Sequence, residues 1–249
     1  MWSRREVVAG GMLSLCFGTC CRADTSRTPH TFASEDVEAV YPNGTDTRTY
    51  FTGDEPMIPR SGDRDFDYAL AQTLAKISDA FGVLPGFAYY DDNDSRNAYA
   101  TSRTRLNRAD GTVLMGIYLQ QQLRAGKDHP EVAVAAVCSH EFGHILQYRH
   151  DLVSRVNAGQ PTVKRSELQA DYFAGYYAGL RKKERPTYPA AVVAVTQGDF
   201  GDSHFSSPSH HGTEAERGAA VVRGFNAAFR EGKTLAQAIE ESTNYVLTL

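Results

Sequence analysis

Cysteine is scarce in this chain and poorly placed for a disulfide framework. Four are present; Cys16, Cys20 and Cys21 stand close together near the start, and only Cys138 lies in the body. A single body cysteine excludes an intradomain disulfide. Apolar runs of the ~20 residues needed to span a bilayer are missing as well; the stretch 7–18 is too short and rich in small residues. Positive charge is not in excess. The net charge is −4, with no basic stripe or tail, which argues against nucleic acid as a partner. What remains is ordinary folded-domain composition, 41% hydrophobic and 22% charged over 249 residues, enough for one well-cored domain and unlike a disordered chain.

The N-terminus reads as an address rather than as structure. Arg4 and Arg5 directly precede the short apolar stretch, a pattern that resembles a twin-arginine export signal with cleavage after Ala23. The expected destination is the periplasm or the medium. Acylation at Cys20 is the weaker reading, because Phe17-Gly18-Thr19 is a poor lipoprotein approach. Residues 24–62 are polar and turn-rich and read as a loose N-terminal arm, and 63–249 as the folded domain.

Within the domain, Phe66, Leu70, Leu74, Ile77 and Phe81 recur at helical spacing, which predicts a helix over 64–81 ended by Gly82. Short strands are predicted at 87–90, 97–102 and 112–117. Asp91, Asp92, Asn93 and Asp94 lack the spacing of a calcium loop and read as a solvated turn. Pro130 opens a helix to about residue 148. Further helices are predicted at 162–180, 189–198, 213–230, where Thr213 and Glu216 form a capping box, and 234–245. In the 162–180 helix the small face Ala170, Ala174 and Ala178 suits a closely packed neighbour. The fold class is α+β, mainly helical with a small mixed sheet.

His140-Glu141-Phe142-Gly143-His144 carries the chemistry. Residues four apart share one helix face, so both imidazoles reach one ion, while Glu141 sits about 100° further round, beside that ion. The preceding turns, from Val132 to Val137, are almost wholly apolar. A buried helix holding two histidines and a glutamate needs a compensating partner. Glu167, 23 residues after His144, is the expected third ligand, and Asp171, one turn on, the expected hydrogen-bond acceptor for a ligand histidine. His150 is a rival third ligand at metzincin spacing. There the chain turns at a glycine where this one has Gln147, and the methionines, at 1, 12, 57 and 115, leave no methionine turn downstream. Cys138 points to another face and reads as a small buried thiol.

The pair HEFGH and ELQAD resembles the gluzincin-type zinc peptidases with a His-Glu-x-x-His/Glu-x-x-Ala-Asp signature. Asn97-Ala98 is similar to the strand of the HtpX-like branch. Glu167-Leu168-Gln169-Ala170-Asp171, Gly198-Asp199, His211-Gly212 and Arg217 are similar to the bacterial putative neutral zinc metallopeptidases. The likeness covers about residues 95–225, without the transmembrane helices of the first branch or the cysteines of the second. It implies a zincin-like fold and one Zn2+ per chain held by His140, His144 and Glu167. The implied activity is endopeptidase hydrolysis of a peptide or protein through a zinc-bound water, with Glu141 as base. His211 is the expected oxyanion donor, with Tyr176 or Tyr177 as substitutes, and strand 97–102 the edge that pairs with substrate. Arg217 is left to pair with Asp171, Asp199 or a substrate carboxylate. Competing readings are a catalytically silent zinc-stabilised binding protein, a cell-wall peptide hydrolase and a latent enzyme covered by its arm.

Overall fold

A computed structural model describes residues 55–93, 95–126 and 128–249. The expected export signal and most of the arm lie outside the described residues. Helix α1 (Arg64–Phe81) starts where the Asp63 side chain accepts Phe66 N–H at 3.0 Å, and it stops at Gly82, whose φ of 62° is left-handed. Three strands follow: β1 (Gly86–Tyr90), β2 (Ala98–Thr101) and β3 (Thr112–Gly116). They form one mixed sheet in the order β1-β3-β2; β1 runs parallel to β3 with Gly86 opposite Thr112, and β2 antiparallel with Ala98 opposite Met115. The last residues of the arm are tied to this sheet, for Ile58 exchanges both backbone hydrogen bonds with Tyr89, at 2.7 and 2.9 Å.

The expected strand at 112–117 ends early and gives way to a helix absent from the sequence reading, α2 (Ile117–Arg124). Its cap is not local. Asp92, from the acidic turn, is buried and accepts Tyr118 N–H at 2.8 Å and Leu119 N–H at 3.0 Å. Part of that turn is therefore a remote helix cap and not merely solvated.

Helix α3 (Pro130–Arg149) is the centre of the domain. It is buried without a break from residue 134 to 147, because α1, α2, the sheet and two later helices surround it. A second omission from the sequence reading, the short α4 (Leu152–Val156), leads to α5 (Lys164–Glu184), which is continuously buried from 166 to 179. Then come α6 (Ala191–Gly198), α7 (Glu214–Phe229) with the Thr213–Glu216 capping box, and α8 (Leu235–Leu247). The tightest packing lies on a stripe beside the expected alanine face. A Cβ placed on Gly175 would stand 1.9 Å from Val221 O, and one on Gly224 1.8 Å from Tyr172 O, so α5 and α7 cross backbone against backbone. Ala170 faces α3 instead, where Gly143 leaves room for it, and Ala174 and Ala178 pack with Val132, Ala136, Val193 and Val221. No helix among the described residues is long and apolar enough to cross a membrane.

Candidate metal centre

His140 and His144 stand one turn apart on α3, and Glu167 projects from the first turn of α5; all three are buried. The two Nε2 atoms are 3.1 Å apart. Glu167 Oε2 lies 3.3 Å from His140 Nε2, and Oε1 lies 3.4 Å from His144 Nε2. A tetrahedral ion with ligands at ~2.05 Å has edges of about 3.3 Å, so the three contacts match three edges of such a site.

The protonation of the rings is fixed from behind. His140 Nδ1 is 2.8 Å from Asp171 Oδ1, and His144 Nδ1 is 2.8 Å from Gln147 Oε1. Both partners accept, so both Nδ1 atoms carry hydrogen, and in the neutral rings both Nε2 atoms present lone pairs. Two imidazole lone pairs and a carboxylate thus converge in a dry space, an arrangement that repels itself unless positive charge enters. The electrostatics agree. Burial opposes charging of His140, yet Asp171 and then Glu167 raise its pKa to about 10. His144 is also raised, with Glu167 outweighing the burial that lowers it. Burial would raise Glu167, but His144, His211 and the hydrogen bonds from both histidines hold it well below its ordinary value. This buried His140–His144–Glu167 group can hold a metal ion, and it is the one such group among the described residues.

Asp171 has no exposed surface and receives three donors. Besides His140 it accepts Arg217 Nε at 2.8 Å and Nη2 at 2.9 Å. The choice of partner that the sequence left open for Arg217 falls on Asp171. Arg217 is itself held by Gln197 Oε1 and Phe200 O, both at 3.2 Å. Burial raises the Asp171 carboxyl, but Arg217 and His140 outweigh it and keep the pKa low.

Glu141 is buried beside the cluster, and that burial raises its pKa despite the pull of His140, His144 and Arg217. His211 sits on the loop between α6 and α7, with its side chain 30% exposed, and its charge is among the causes that depress Glu167. The loop is organised by a residue the sequence reading passed over. Asp202 accepts His210 Nδ1 at 2.6 Å, His211 N–H at 2.8 Å and His204 N–H at 2.8 Å. These bonds outweigh its partial burial and bring its pKa to about 2. An aspartate two residues ahead of the N–H it accepts is a local signal that was available.

Other expectations are relocated. Tyr176 and Tyr177 do not face the cluster: Tyr176 Oη donates to Lys233 O at 2.8 Å, and Tyr177 packs edge-on against Phe81. His150 caps the C-terminus of α3 in the open, outside the ligand group, because the helix runs on through Gln147. Cys138 is fully buried, which pushes its thiol up. β2 is an edge strand. Gly116 N–H donates to Asn97 O, so by antiparallel alternation Ala98 and Ala100 turn their backbone groups away from β3. Tyr148, one turn beyond His144, donates to Ala100 O at 3.3 Å and ties that edge to α3.

No protein-family model matches the chain, and no curated protein or solved structure is significantly similar to it. The functional reading therefore rests on the geometry and chemistry of these residues.

Proposed function

We propose that this chain is a zinc-dependent endopeptidase with a zincin-like fold. The observation that carries the reading is the convergence of His140 Nε2, His144 Nε2 and Glu167 on one dry point, with the buried Glu141 beside them. Two nitrogens and one carboxylate are the three-ligand donor set that suits Zn2+ in a catalytic role. When bound, the metal supplies Lewis-acid polarisation of a carbonyl and a lowered water pKa.

The chain's own residues supply the rest. Glu141 has the raised basicity that abstraction of a proton from water demands, and the same carboxylate returns the proton to the leaving nitrogen. Asp171 and Gln147 hold both rings with Nε2 forward. His211, on its Asp202-anchored loop, donates to the developing oxyanion, a contribution typically of ~3–4 kcal/mol. β2 is unpaired on the side away from β3, and an extended peptide or protein segment is the substrate proposed to lie along it, with Ala100 O shared with Tyr148.

The test uses the chain from residue 24 and its Glu141→Gln variant. One zinc per chain in both, with hydrolysis of a quenched peptide only by the parent, is the expected result. Zinc in both without hydrolysis in either would overturn the peptidase reading, and absence of metal would overturn the whole of it. Export through Arg4 and Arg5 belongs to the same proposal; a chain with both changed to lysine should remain in the cytoplasm, and its normal export would refute that part.

A further inference from the structure

A chain of buried side chains runs from His144 to the C-terminal helix, and each link is polarised in one direction. At the outer end Ser242 Oγ and Thr243 Oγ1 both donate to Ile239 O, at 3.0 and 2.8 Å. Each hydroxyl has one proton, so both are left as acceptors. The Gln169 amide nitrogen donates to both, at 3.1 and 3.0 Å, which uses its two hydrogens. Gln169 Oε1 must then face inward, where Gln147 Nε2 reaches it at 3.0 Å. The other Gln147 hydrogen goes to Ser166 O at 2.8 Å. With both hydrogens engaged, Gln147 presents only its oxygen to His144 Nδ1. Gln147, Gln169, Ser242 and Thr243 are each at most 1% exposed, so water offers no substitute partner.

We infer that Gln147 is a positioning residue for the metal site, and that α8 sets the coordinating tautomer of His144 through Gln169. A flipped Gln147 amide would aim N–H at His144 Nδ1 and oxygen at the Ser166 carbonyl, a mismatch at both ends. The relay makes that flip costly, and so keeps the His144 Nε2 lone pair turned to the ion. Asp171 does the same for His140 by charge; the Gln147 route does it without adding a buried charge, which leaves Glu167 as the ligand that offsets the metal. The inference rests on the metal-centre reading and is independent of the peptidase chemistry.

The test is zinc affinity, measured by competition with a chromogenic chelator in the absence of any substrate. The variants are Gln147→Leu and the outer pair Ser242→Ala/Thr243→Val, which touches neither ligand nor metal. Ile77→Val, a fully buried change outside the relay, controls for general destabilisation. Expected is zinc affinity weakened ~10–100-fold by Gln147→Leu and about tenfold by the outer pair, the range for residues that orient a ligand, with the control unchanged. Should Gln147→Leu fail to fold, the outer pair decides. Folded variants that bind zinc within about twofold of the parent would overturn the inference while leaving the metal centre standing. A parent that binds no zinc would overturn both.

Discussion

Changing Asp171 to Asn tests the electrostatic core of the site at a single atom. The carboxylate accepts from His140 Nδ1 and twice from Arg217, and it is wholly buried. Asparagine keeps one acceptor for His140 but aims an N–H pair at the guanidinium. Arg217, only 3% exposed, then loses its Nε partner and keeps only neutral acceptors: the oxygen it shares with His140, Gln197 Oε1 and Phe200 O. Removing one partner from a buried ion pair costs about 3–5 kcal/mol, since the survivor keeps its charge without its counter-charge. For a domain of this size that is a fall of ~6–20 °C in melting temperature. Calorimetry in chelator and in excess zinc, on Asp171→Asn, Arg217→Met and the double variant, measures it. The double variant should be less damaging than the sum of the singles by more than ~1.5 kcal/mol, because it buries neither orphan. Additive singles, or an Asp171→Asn variant within about 1 kcal/mol of the parent, would refute the argument.

Two more expectations follow from packing and charge. Alanine at Gly175 or Gly224 should destabilise strongly, well beyond the ~0.5 kcal/mol of an ordinary surface change, whereas Gly218→Ala, where an added Cβ meets nothing within 4 Å, should stabilise by about 0.5–1 kcal/mol in the same unfolding assay. Asp202 has its folded-state pKa depressed to about 2, so its hold on the 204–211 segment is fully present above the unfolded value of 3.8 and is lost as pH falls through 2. Amide exchange in that loop should therefore rise between pH 4 and 2, and Asp202→Asn should show raised exchange already at neutral pH. A flat profile in the parent would contradict this.

The His140–His144–Glu167 cluster was legible because its signal is local. His140 and His144 need only helical spacing, and Glu167 and Asp171 share the next long helix. In the sequence Gln147 registers only as the residue that stands where a metzincin has glycine; its place behind His144 was not legible, since a glutamine near a helix end reads as surface until a second helix covers it. Helix α2 was hidden for a stricter reason. Gly116 gives no side-chain cap, and the carboxylate that replaces it arrives from Asp92, across the sheet. Asp171 and Arg217 were both in view, but their pairing depends on how α5 and α7 cross, and that is decided by glycines whose neighbours no linear pattern reveals.

The glycine contact between α5 and α7 also divides what can vary in this protein from what cannot. Glu167 and Asp171 on one helix and Arg217 on the other ride on backbones too close to admit a methyl group, and Gly143 brings α3 close to α5, where an added Cβ would stand 3.2 Å from Ala170 Cα. Substitutions therefore find almost no freedom in these helices. The segment from Asp199 to Gly212 is different: it is irregular, organised internally by Asp202, and tied to the helices by few bonds, among them Val163 N–H to Pro208 O and Arg217 to Phe200 O. Diversification, natural or by design, therefore has its natural entry there, with the His140–His144–Glu167 group kept unchanged on the helices.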